Sequence, residues 1–290
     1  MQKYILVVGT ILAFEDYVLI LCLSFMERLS PRRSTRAIDE TKRLRWTSNL
    51  FVYILDRFLL SLLPISGMVL AVICAQRGWG LLNQVALPAS LEFAFTIILI
   101  GLSSYATHYL LHRVPLLWRL HRLHHTDQNI DFSTAVRSHP LERIFTAAVG
   151  LCAVPVIGPA PSALLVFAPF FLAIQYFSHA NLRLPESWDR FLRFFVVTPD
   201  MHRIHHSQLL TENMSNLGDV FPWFDRIFRT YRAEPELGDD LAFGVPEFTG
   251  RKHMMLHWML AQPFLKEKTE LQPARGKARA PQLGVGAMNS

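Results

Sequence analysis

Residues 91–125 read LEFAFTIILIGLSSYATHYLLHRVPLLWRLHRLHH. The stretch opens as an apolar run, 91–111, whose only acid is Glu92 and whose only histidine is His108. A bilayer crossing needs ~20 such residues. The run then ends in histidines: His108 and His112 one helical turn apart, then His121, His124 and His125 in the word HRLHH. The same word returns as HRIHH at His202, His205 and His206. By chance one such word is expected in roughly 2% of chains of this length and composition, so two demand a chemical reason.

Working outward, the 290 residues are 51% hydrophobic and 18% charged. Apolar residues come in long runs. Residues 4–26 are interrupted only by Glu15 and Asp16, residues 50–75 only by Asp56 and Arg57, and 144–180 is long enough for two passes folded at Gly158–Pro161. The expected fold is therefore an all-α integral membrane protein of about five (four to five) transmembrane helices with a cytoplasmic helical cap carrying the histidines. A soluble hydrophobic bundle is the competing reading. The first run is too long for a signal peptide, holds an acidic pair and lacks a small-residue cleavage site, so it reads as a retained helix. Seven Lys/Arg lie in 27–46, one in 76–90, none in 158–161, five in 113–143 and fourteen in 181–290. The positive-inside rule then places the N-terminus outside and the histidine cluster and C-terminus in the cytoplasm, in a bacterial inner membrane or an ER-type membrane. The net charge of +6 follows from this bias. Scattered basic residues without a nucleic-acid motif argue against nucleic-acid binding.

Three regions follow: an N-terminal transmembrane scaffold, 1–90; a histidine-rich catalytic domain, 91–235; and a C-terminal helix and disordered tail, 236–290, the tail beginning at about residue 266. Cys22, Cys74 and Cys152 lie inside apolar runs, without Cys-x-x-Cys, and read as packing residues. In 186–195, Trp188, Phe191, Leu192 and Phe195 share a helical face that suits either the membrane interface or packing on the protein itself. His253 and His257 also read His-x-x-x-His, within what scans as an amphipathic C-terminal helix.

Positions i, i+3 and i+4 of a helix share a face, so each His-x-x-His-His word points three imidazoles one way. His179 closes the last apolar run. Imidazoles in quantity without thiolates suit iron, copper or zinc, and so many imply two ions. Candidate carboxylates to hold the ligand rings are Asp127, Asp131, Glu142, Asp200, Asp219 and Asp225, each of which also reads as a cap or surface charge, Asp200 as an N-cap.

The stretches HYLLHRVPLLWRLHRLHHTD, RSHPLE and TPDMHRIHHSQLLTENMSNLGDVFPWFDRIFRTY resemble the fatty acid hydroxylase / sterol desaturase superfamily over about residues 91–235. The resemblance implies an integral-membrane, non-haem di-iron oxygenase. It makes His108, His112, His121, His124, His125, His179, His202, His205 and His206 ligands of two Fe ions, with Zn able to take their place on purification. It marks His139 and Asn216 as active-site residues and matches Asn216–Gly218 to an Asn-aromatic-Gly element, with Leu217 for the aromatic. Gln175 stands one turn before His179, where some members carry a further histidine; it reads as a weak ligand, a water holder or a packing residue. The family often has glycine where Arg229 stands and His-Arg where His108-Tyr109 stands. An acid about two turns before the first box is missing from Gly101–Ser104.

The resemblance implies a monooxygenase that hydroxylates a C–H bond of a bilayer lipid with O2 and electrons from a cytoplasmic or membrane donor, whether reductase, ferredoxin or cytochrome. Sterols, fatty acids, ether lipids, carotenoids and sphingolipids all meet that description. Desaturation at the same site is the alternative. A metal-binding membrane protein without catalysis, such as a transporter, would place ionisable residues deep along a pathway, whereas here the histidines gather at one end. A partner-binding scaffold would survive loss of iron.

Overall fold

The computed structural model describes the backbone of residues 2–33 and 39–266 and the side chains of 16–33 and 41–266. The polar tail expected from about residue 266 lies, beyond that residue, outside the described residues. Among the described residues the chain is helical and holds no strand, only the isolated bridges Pro31–Leu182 and Ser207–Phe243. The helices are α1 (Gln2–Leu29), α2 (Asp39–Ser61), α3 (Gly67–Arg77), α4 (Ala89–Arg113), α5 (Pro115–His125), α6 (Pro140–Ile157), α7 (Pro161–His179), α8 (Glu186–Leu192), α9 (Pro199–His205), α10 (Leu210–Asn213), α11 (Trp223–Ile227) and α12 (Leu256–Ala261).

Among the described residues three helices, α4, α6 and α7, are long and apolar enough to cross a membrane. The fourth and fifth expected passes are thus α6 and α7, joined where the sequence placed the turn. Gly158 ends α6 at φ 65° and Pro161 opens α7. The run at 50–75 is not one helix. It breaks between Ser61 and Gly67, a gap containing Pro64, whose ring cannot continue the hydrogen-bonding ladder. α2 and α3 nevertheless follow the length of α6. Asp56 lies 3.8 Å from Arg143 near the start of α6, and Ala71 and Cys74 pack with Val154 and Leu164 at its far end. There Gly80 (φ 96°) crosses Gly158 so closely that a Cβ on Gly80 would stand 2.2 Å from the Gly158 nitrogen. The expected helix over 186–195 stops at Leu192, and Trp188, Phe191, Phe194 and Phe195 are 51–63% exposed. Trp188 touches Phe191, which touches Phe195, and their outer sides are bare, while Leu192, the remaining residue of the expected face, is half-buried.

At the other end of the bundle, α5, α9 and the segments after them form a cap. It is tied to α2 by Arg45, a buried guanidinium that donates to Asp127 at 2.9 Å and to Asp131. Asp131 also accepts from the Trp46 indole at 2.9 Å and caps the short helical turn Phe132–Val136 through the Ser133 N–H. Removing one partner of such a buried set leaves the others charged and unpaired. Arg45→Ala is expected to lower stability by about 3–5 kcal/mol, read as a fall in the unfolding midpoint of the detergent-solubilised protein. An Arg57→Ala control is expected to change it by less than about 0.5 kcal/mol.

Candidate metal centre

Four elements deliver the histidines. α4 brings His108 and His112 one turn apart at its last turns, and Pro115 at the first turn of α5 redirects the chain so that His121, His124 and His125 face back toward them. α7 ends on His179. Thr198 caps α9, accepting from the Met201 N–H at 3.4 Å, with Pro199 in the first turn. Asp200, read from sequence as the cap, instead pairs with Arg32 at 2.9 Å, because the threonine one residue before the proline takes the capping position.

The nine predicted ligands are all buried and fall into two groups. His108, His112, His121, His125 and His205 form one; His124, His179, His202 and His206 form the other. Within each, one ring nitrogen per residue lies within 4.8 Å of all the others. In the second group the Nε2 atoms of His124 and His179 are 3.0 Å apart, those of His179 and His202 3.0 Å, and those of His202 and His206 3.2 Å. In the first, the Nε2 atoms of His108, His112 and His205 are buried without a hydrogen-bond partner among the described residues.

Two nitrogens each bound at ~2.1 Å to one ion at right angles stand ~3.0 Å apart. The observed spacings therefore fit ligands converging on a shared cation. Hydrogen bonding among the imidazoles themselves gives no equivalent, since each neutral ring has a single N–H to share.

The outward nitrogens fix that orientation. Nδ1–H of His108 donates to the Leu217 carbonyl at 2.9 Å, that of His205 to Ser215 at 3.0 Å, that of His179 to Gln175 at 2.7 Å and that of His124 to Arg137 at 3.3 Å. His121 donates to Glu142 at 2.8 Å. His112 Nδ1 lies 3.1 Å from the Asn213 Oδ1, and the amide nitrogen of that asparagine is 3.1 Å from His125 Nδ1. At His108, His112, His121, His124, His179 and His205 an Nδ1 proton has an oxygen acceptor, which turns the Nε2 lone pair inward; His125 Nδ1 instead accepts from the Asn213 amide, and the Nδ1 atoms of His202 and His206 have no partner among the described residues. Burial first, and then the neighbouring imidazoles, hold His124, His125, His202 and His206 well below the ordinary imidazole range. Burial and its neighbours hold His205 there too. All five are neutral at pH 7, the form that binds metal.

Of the six candidate carboxylates, two hold a ligand ring. Glu142 meets His121, and Asp219 stands 3.1 Å from His108 Nδ1, steadied by the Ser104 hydroxyl. Ser104 lies in the stretch where the acid expected before the first box is missing. Asp127 and Asp131 serve Arg45. Asp225 accepts from the N–H groups of Leu217 (2.7 Å) and Gly218 (2.9 Å). That hairpin explains the Asn-x-Gly element. Asn216 sits at φ 51°, a left-handed conformation asparagine tolerates, and a Cβ on Gly218 would stand 2.7 Å from the Asp225 carboxylate. Arg229 is likewise left-handed at φ 60°, the conformation that favours glycine there.

Gln175 does not aim its side chain at the second group: its amide donates to the Asp219 carbonyl at 2.8 Å. His139 caps α6, its Nδ1 accepting from Leu141 N–H at 3.1 Å and its Nε2 meeting the Leu260 carbonyl at 3.1 Å. The Asn216 carboxamide donates to the carbonyls of Met201 (3.0 Å) and Arg232 (2.9 Å) and accepts from Arg232 N–H at 2.8 Å. Neither residue is among the converging nitrogens. His253 and His257 do not share a helix. His253 lies in the turn Arg251–Met254 against Phe248 and Trp258, and α12 starts only at Leu256.

An apolar helical chain with a paired, all-imidazole centre at one end of its bundle is the class these features define. Residues 93–230 match the family model described as fatty acid hydroxylase, and the chain carries a domain of the fatty acid hydroxylase superfamily. It is 25% identical to the ornithine lipid hydroxylase OlsE of Rhizobium tropici over 62% of this chain and 52% of that protein. It is 30% identical to the alkylglycerol monooxygenase of Homo sapiens over 46% of this chain and 28% of that protein. Against the Caenorhabditis elegans alkylglycerol monooxygenase it is 31% identical over 45% and 25%. The chain thus spans about half, or less, of the length of these relatives. No solved structure matches it.

Glu142→Gln, which keeps the shape but loses the charge facing His121, is expected to weaken metal binding 10- to 100-fold, read by chelator competition. His205→Ala is expected to reduce the metal content of the purified protein, while His253→Ala leaves it unchanged, measured by elemental analysis.

Proposed function

We propose that this chain is a membrane-bound di-iron monooxygenase that hydroxylates a C–H bond of a bilayer lipid, using O2 and electrons from a cytoplasmic or membrane donor. The observation that carries the reading is the convergence of nine buried imidazoles in two adjoining groups, whose nitrogen spacing fits two cations. Two bound iron ions would supply the dioxygen chemistry and the C–H bond cleavage that no side chain can perform. His108, His112, His121, His125 and His205 would hold one ion, and His124, His179, His202 and His206 the other.

The chain's own groups hold that centre in place. Glu142, Asp219, Asn213 and the carbonyls of Leu217, Ser215, Gln175 and Arg137 keep the rings in the ligating tautomer. Arg45 and its carboxylates seat the cap over the bundle and keep water from the rings. His139 and Asn216 act as frame residues, one tying the start of α6 to the C-terminal segment and the other tying α9 to the 230–232 stretch. In this reading 1–90 is scaffold, 91–235 the catalytic domain and 236–290 a C-terminal clasp.

The bundle is read as five passes, with α2 and α3 forming one broken pass. The N-terminus is outside, and the cap and C-terminus are cytoplasmic, where reductant is available. The exposed rings of Trp188, Phe191, Phe194 and Phe195 rest in the membrane interface. The substrate is a lipid chain that reaches the centre sideways from the bilayer. Two relatives whose names state hydroxylation of a lipid and monooxygenation of an alkylglycerol support that class.

Comparative lipid mass spectrometry of cells with and without the intact gene checks the proposal. The gene-dependent product is expected to be one oxygen atom heavier than its precursor and to disappear in His205→Ala. A product lighter by two hydrogens would replace hydroxylation by desaturation. Full lipid oxidation by His205→Ala with reductase present would remove the site assignment altogether.

A further inference from the structure

α9 has two working sides. His202, His205 and His206 face the centre, while Arg203 and Ile204 line a separate cavity of about 500 Å³. The opposite wall is α8 and the segment leading into it, through Arg183, Asp189 and Arg193. Most charges here are matched. Arg32 pairs with Asp200 at 2.9 Å and with Asp239. Arg193 pairs with Asp189 at 2.7 Å and donates to the Ala233 carbonyl at 2.6 Å. Glu186 meets Arg190 at 3.4 Å.

Two guanidinium groups remain. Arg203 is only 6% exposed; the face of the Phe243 ring lies 5.3 Å from its guanidinium, Asp200 and Asp239 act on its charge at longer range, and no hydrogen bond or close ion pair holds it among the described residues. Arg183 has no side-chain ion pair or hydrogen bond among the described residues. A third cation, Arg33, stacks 4.1 Å from the centroid of the same ring and donates to the Leu241 carbonyl. Glu234 is the unmatched acid, exposed on the rim. A buried guanidinium without an acceptor is costly unless an anion completes it.

We propose that this cavity binds the phosphate of an anionic bilayer lipid, clasped between Arg203 and Arg183. The source follows from position. α8, which forms one wall, carries on its outer side the exposed Trp188 and Phe191, side chains that settle at headgroup depth. The cavity therefore opens where lipid phosphates lie. The proposal rests on the bilayer placement of α8 and not on the oxygenase chemistry, so it stands or falls separately from that chemistry.

The test uses full-length protein in neutral detergent, titrated with dioctanoyl phosphatidylglycerol, dioctanoyl phosphatidylcholine or inorganic phosphate. Binding is read as a saturable rise in unfolding midpoint and a change in tryptophan fluorescence. Phosphatidylglycerol is expected to bind, phosphatidylcholine to bind at least tenfold more weakly, and inorganic phosphate to compete with the former. Arg203→Gln and Arg183→Gln are each expected to weaken phosphatidylglycerol about tenfold, the loss of one charge-assisted contact. Arg190→Gln, on α8 but not a cavity wall, should leave it unchanged. If Arg203→Gln does not fold, Arg183→Gln, at an exposed position, decides. Equal binding of the two lipids, or wild-type affinity in both cavity variants, overturns the proposal. So does arginine-dependent binding of inorganic phosphate without any binding of phosphatidylglycerol, which reassigns the cavity to a soluble phosphate compound.

Discussion

Nine imidazoles buried in two adjoining groups at one end of the bundle are a costly arrangement until cations occupy the space between them. The surroundings of the rings are organised to keep them in that costly form. A ring free to turn would pair its Nδ1–H with a neighbouring Nε2 and the groups would collapse into an imidazole network. Here six outward Nδ1 atoms have oxygen acceptors on other side chains or on the backbone, and turning a ring breaks a buried hydrogen bond. Most of those oxygens are backbone carbonyls, on helix ends and on the Ser215–Leu217 hairpin, so the course of the chain itself holds the ligands.

The cap that supplies those carbonyls is anchored by two buried arginines. Arg45 is matched by Asp127 and Asp131. Arg137 has no carboxylate partner: it donates to the Leu123 carbonyl at 3.0 Å, Asn49 Oδ1 at 2.9 Å and Thr126 Oγ1 at 3.1 Å, while its own carbonyl accepts from His124. It thereby closes the C-terminal turn of α5, the turn that carries His124 and His125, and ties it to α2. A cation at a helix C-terminus also meets the negative end of the helix dipole, which adds to the longer-range attraction of Asp127 for Arg137.

The convergence of the histidines was legible because an α-helix converts i, i+3, i+4 spacing into one face, and the doubled word left little room for accident. The helical hairpin at Gly158–Pro161 was legible for a similar local reason: its glycine and proline act on the chain within two residues. What holds the ligands was not. Four of the oxygens are main-chain carbonyls, which carry no residue signature. Asn213 falls outside any box, seven residues after His206 in the short helix α10, and nothing in the sequence marks it as a ring partner. The break in the second apolar run was not legible because hydropathy averages over Pro64, which ends a helix without lowering the mean. Gln175 and His139 were placed by likeness to a pattern, and which way such side chains turn depends on tertiary neighbours that the pattern does not encode.

The two histidine words do not serve one group each. α5 gives His121 and His125 to the first group and His124 to the second; α9 gives His202 and His206 to the second and His205 to the first. α5 and α9 are thus each committed to both groups, so a displacement of either helix moves rings of both at once.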